Sequence, residues 1–127
     1  MVMGCRAYAD RDPLPLWSLP VNEVQEIVVR SAQAAGLHAT APALLLELQT
    51  QLGGLAHAAT TATERGRRPF RPSKEWETRL GELAYGVYLL ADQTGVDIAA
   101  QIGRTADWLQ HRAQQVTPNG DWPFEPA

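Results

Sequence analysis

The chain has 127 residues, 45% of them hydrophobic, which is enough for one compact domain whose core needs no disulfide staples. A net charge of −3 argues against general nucleic-acid affinity, because that requires a broad excess of Lys and Arg over the phosphate-facing surface. The single cysteine, Cys5, cannot build an internal disulfide framework and fits a cytoplasmic setting; no apolar run approaches the roughly 20 residues that span a bilayer, so no membrane association is expected.

Residues 1–20 hold Pro13, Pro15 and Pro20 among Leu14, Leu16, Trp17 and Leu19, which predicts an extended N-terminal arm whose apolar side chains dock somewhere. From Val21 to Ala35, Val24, Ile27, Val28 and Ser31 recur at helical spacing, with Glu23 and Glu26 early and Gly36 placed to terminate. Thr40 can cap a second helix with Pro42 in its first turn, running to about Thr63 on a stripe of Leu45, Leu48, Leu52, Leu55 and Ala59. Gly53 and Gly54 interrupt that helix at roughly 1 kcal/mol each relative to alanine, which points to close approach by a neighbouring backbone.

Two prolines and a glycine make residues 65–72 a loop. Ser73 starts a third helix, with Glu75 and Glu77 at the positive end of its dipole and Trp76, Leu80, Leu83, Val87 and Leu90 as the buried stripe, ending near Gly95. A fourth covers Asp97 to about Gln115, with Ile98, Ile102, Ala106, Leu109 and Ala113 on one face. Pro118, Gly120, Pro123 and Pro126 make residues 117–127 an irregular tail. With no alternating β-branched run and short links between helices, the pattern predicts an all-α antiparallel four-helix bundle over residues 21–116.

Two stretches carry a family resemblance. Leu48-Gln49-Thr50-Gln51-Leu52-Gly53-Gly54-Leu55 is similar to the first motif of the MazG-like nucleotide pyrophosphohydrolases, Leu-x-x-Glu-x-Gly-Glu-Leu. Arg79-Leu80-Gly81-Glu82, followed by Leu90-Ala91-Asp92-Gln93-Thr94-Gly95-Val96-Asp97-Ile98, resembles that family's Glu-x-x-Asp helix and its Leu-Ala-Asp-x-x-Gly-Ile-Asp-Leu ending. The likeness spans about residues 21–112 and implies a MazG-like bundle, a homodimer or homotetramer packed through the second and third helices, and a nucleotide ligand.

It also implies a magnesium site, where the metal would neutralise phosphate charge and activate water for hydrolysis between the α and β phosphates. The positions matching the family acids are Gln51, Gly54, Arg79 and Glu82, and only Glu82 is a carboxylate. Magnesium takes hard oxygen ligands, so a neutral amide, a missing side chain and a guanidinium weaken the site sharply. Glu47 lies one turn before Gln51 and Glu75 one turn before Arg79, so a displaced metal site of Glu47, Glu75 and Glu82 is the other arrangement to examine. The plain alternative is that Glu47 is a solvated charge, Glu75 a helix N-terminal one, and Arg79 the partner of Glu75 or Glu82.

Arg65, Arg67, Arg68, Arg71 and Lys74 place five of the eleven basic residues within ten positions beside a helix N-terminus, an arrangement suited either to phosphate or simply to solvation. Trp76 is the aromatic candidate for stacking on a base, while Trp76 and Trp108 also suit core or subunit-interface packing. His38, His57 and His111 show no metal spacing, and Cys5 has no partner histidine nearby in sequence. Two functions follow: a MazG-like protein acting without hydrolysis, in nucleotide binding, regulation or interaction and needing no cofactor, or a divergent magnesium-dependent nucleoside triphosphate pyrophosphohydrolase using Glu82 with Glu47 or Glu75.

Overall fold

The computed structural model describes residues 21–124. Four helices and no strand occur among them: α1 (Val21–Ala35), α2 (Ala41–Ala62), α3 (Lys74–Gln93) and α4 (Ile98–Gln115). The expected arm with Cys5 and Trp17, and the tail residues 125–127, lie outside the described residues.

The helix ends follow from local chemistry. Thr40, Ser73 and Asp97 are N-caps whose side chains accept from the N–H groups of Ala43, Trp76 and Ala100, so each helix starts one residue after its capping side chain. Past α1 and α3 the chain turns through Gly36 and Gly95, at φ of 68° and 71°, where a Cβ is disfavoured. There the N–H groups of Leu37 and Val96 reach back to the carbonyls of Ala32 and Ala91, satisfying acceptors that the helix end leaves open.

The centre of the fold is α3. The α2 helix packs along it in the opposite direction, so that Leu48 and Gln51 meet Gly86 while Gly54 meets Arg79. The α1 helix crosses it: Val24, Ile27 and Val28 flank the Gly81–Tyr88 stretch, whereas Gln25, Val29 and Arg30 flank Asp92 and Val96. At the crossing Val28, Ala32, Leu44 and Leu89 form the core, with Val24, Tyr85, Tyr88 and Leu90 against it.

The fourth helix departs from the expected bundle. Its main neighbour is α1, and none of its residues is buried. Ile102, expected on a core-facing stripe, is 52% exposed. The physical reason is a thin apolar face: between Ile102 and Leu109 the stripe is filled by Thr105 and Ala106, which give little carbon to bury. What holds its start is a side-chain amide. Gln25 donates to the Val96 carbonyl at 3.0 Å and accepts from the Ile98 N–H at 3.3 Å, tying the α3–α4 link to α1.

The stripes drawn along α2 and α3 are also only partly buried. Leu55 is buried, but Leu45, Leu52, Leu80 and Val87 are exposed. Period and burial separate here because α1 covers one side of the α2–α3 pair and no described element covers the other.

Candidate functional site

Helical spacing sets Glu47, Gln51 and Gly54 of α2 on one face, at i, i+4 and i+7. This face turns toward α3, and two glycines decide how closely the helices approach. A Cβ on Gly86 would fall 2.5 Å from Cδ2 of Leu48 and 3.1 Å from Oε1 of Gln51. A Cβ on Gly54 would fall 2.9 Å from Nη1 of Arg79. The space beside Gly54 is thus taken by a guanidinium from the facing helix. Arg79 is steadied there by Glu75, one turn earlier, whose Oε1 accepts from Arg79 Nε at 3.1 Å.

The candidate acids are not gathered. Glu47 lines a cavity of about 430 Å³ together with Leu37, His38, Gln51, Tyr85 and Gly86. Glu75 is engaged by Arg79, and Glu82 is exposed. Among the described residues no group of three or more His, Cys, Asp or Glu side chains is arranged to hold a metal ion.

Beside the cavity, Oε1 of Gln51 is buried against Gly86 with no hydrogen-bond partner in the structure. Leaving such an oxygen unpaired costs about 1–3 kcal/mol, so it marks a place where a donor belongs. The rim is polar. His38, in the link between α1 and α2, meets Asp92 of α3 at 3.1 Å between Nε2 and Oδ2. Tyr85 is held by Ser31 at 2.6 Å and by the Val28 carbonyl at 3.3 Å, which fixes its ring against the inner end of the cavity. Comparison with models of protein families, with curated proteins and with solved structures brings no match.

The basic loop follows α2. Glu64 and Arg65 adopt left-handed backbone at φ of 47° and 61°, allowing the Arg68 N–H to bond the Thr63 carbonyl and the Gly66 N–H to bond Oγ1 of Thr63. Arg68 is paired with Glu64 at 3.2 Å. Arg67, Arg71 and Lys74 stand exposed, and Trp76 is half-buried with its ring edge-on to Phe70 at 4.7 Å. Trp76 is therefore a packing residue of the loop as it enters α3.

Two residues that line the cavity, His38 and Tyr85, and the side chains that hold them, Asp92 and Ser31, carried no signal of function in the sequence. His38 and Asp92 are 54 positions apart, as are Ser31 and Tyr85, so no local spacing announces either pair. Asp92, which holds His38, stands inside the Leu-Ala-Asp stretch, and Gln51 of the Leu48–Leu55 stretch lines the cavity itself.

Proposed function

We propose that this chain is a MazG-like protein that binds a nucleotide, or a partner presenting similar groups, between α2 and α3 without hydrolysing it. The observation that carries this reading is the guanidinium of Arg79 beside Gly54, at two positions where the resembled family has acids. A fixed cation there repels a divalent metal and supplies the attraction for phosphate that the metal would otherwise provide. Further along α2 lies Glu47, whose carboxylate accepts from amino or hydroxyl groups, so the cleft offers an acceptor at one end and a cation at the other.

The exposed side of the α2–α3 pair supports self-association as a homodimer or homotetramer. Leu45 and Leu52 are seven residues apart on α2, as are Leu80 and Val87 on α3, and the opposed register brings the pairs level on the side away from α1. An apolar stripe of this kind on a small domain is a natural interface.

The test is calorimetry with nucleoside triphosphates in EDTA, paired with a pyrophosphate-release assay in magnesium and in manganese. Metal-independent binding, weakened about tenfold or more by Arg79→Ala, is the expected result. Metal-dependent release of pyrophosphate, abolished by Glu82→Gln, would replace this reading with the divergent pyrophosphohydrolase. Absence of both binding and turnover would leave a purely structural helical module.

A further inference from the structure

The oblique passage of α1 over α3 opens a trough of about 370 Å³ on one flank, separate from the cavity beside Gln51. Val24, Ile27 and Val28 form one wall; Gly81, Ala84 and Tyr88 form the other. Two hydroxyls also border it, and both are spent internally. Ser31 and Tyr85 share a 2.6 Å hydrogen bond, and each is also within reach of the Val28 carbonyl. What remains is a carbon surface with more than twice the ~150 Å³ that admits a benzene ring in a protein interior. At Gly81 the wall is bare: a Cβ there would meet nothing within 4 Å.

We propose that the trough is filled by this chain's own segment Pro13–Pro20, folded back along α1. The chemistry of the two surfaces agrees. The segment, Pro13-Leu14-Pro15-Leu16-Trp17-Ser18-Leu19-Pro20, is uncharged and carries three leucines and a tryptophan. Its three prolines have no N–H to lose when laid on carbon, and they favour an extended path. An extended leucine, proline and tryptophan run on a surface bordered by tyrosine rings is a recurrent mode of recognition.

Connectivity agrees as well. The segment joins α1 at Val21, one turn before Val24 at the near end of the trough. An extended chain advances about 3.1 Å per residue against about 1.5 Å along a helix. Folding back from Val21, Leu19 comes level with Val24 and Gln25, Trp17 with Val28 and Val29, and Leu16 with Ser31. Tethering keeps the local concentration of the segment high, so it fills the trough ahead of any free partner. A second copy is drawn instead to the stripe of Leu45, Leu52, Leu80 and Val87 on the other side.

The experiment uses the full chain, selectively labelled for NMR. Cross-relaxation between the Trp17 indole and the methyl groups of Val24, Ile27 or Val28 is expected, unchanged when labelled protein is diluted into unlabelled protein. A companion variant, Gly81→Leu, starts from a Cβ position with no neighbour within 4 Å and projects its isobutyl group into the trough. It should speed chymotryptic cleavage of the Trp17–Ser18 bond at least tenfold while leaving helical circular dichroism intact. Trp17 without these contacts, and cut as fast in the parent as in the variant, would overturn the proposal. Contacts found only between differently labelled chains would also overturn it, by assigning the trough to a neighbouring copy.

Discussion

The α2–α3 seam and the α4 helix with its tail are held in different ways. Along the seam the glycine at position 86 lets Leu48 and Gln51 reach the facing backbone, and Leu55 is buried. The α4 helix instead hangs from Gln25 at its start and carries an aromatic group near its end. Trp108 stacks on Phe124 at 6.0 Å, Trp122 meets Phe124 edge-on at 5.2 Å, and Arg112 lies over Trp108 at 5.4 Å. Much of that group faces water, with Trp122 80% exposed. The contrast teaches that close packing here comes from small residues letting helices approach, whereas large aromatics without a facing helix pack only on one another.

The sharpest way to break this comparison is a pair of truncations. Leu89→Ala, at a side chain 4% exposed in the core, should destabilise by about 2–5 kcal/mol in urea unfolding, from lost transfer energy and the cavity left behind. Ile102→Ala on α4 should stay within about 0.5 kcal/mol, as surface substitutions do. Equal losses at both would mean that α4 is integral to the core.

Glycine substitutions come next and should differ in sign. Gly86→Val drives a branched side chain into Leu48 and Gln51 and should cost about 1–3 kcal/mol through overpacking. Gly53→Ala meets nothing within 4 Å and should gain up to about 1 kcal/mol from helix propensity. A loss at position 53 instead, read in the same denaturation series, would indicate that another chain approaches the helix there.

The smallest effect concerns the tail. Arg112→Ala removes a cation from the Trp108 face, worth about 0.5–1 kcal/mol at an exposed site, and should shift tryptophan emission without a measurable change in helix content.

Much of the scaffold was legible in the sequence. Thr40, Ser73 and Asp97 mark helix starts, Gly36 and Gly95 mark ends, and Pro and Gly mark the links, because capping and turn chemistry act over a few residues. The site was legible in part. The facing of Gly54 and Arg79 follows from two helices running in opposite directions, and the ion pair of Arg79 with Glu75 follows from i,i+4 spacing. His38 with Asp92, Ser31 with Tyr85 and the unpaired oxygen of Gln51 were not legible, since each depends on where a distant segment arrives.

By itself, then, the sequence determined the helices and their ends, because these are matters of residue type and local backbone preference. Tertiary structure alone decided which apolar faces are covered. Leu44 and Leu45 are neighbours with the same side chain, yet one is buried under α1 and the other faces outward. A periodic stripe states only that a helix can bury one side, whereas the crossing of α1 and the loose seating of α4 determine which side it buries and leave the trough and the α2–α3 stripe uncovered by any described element.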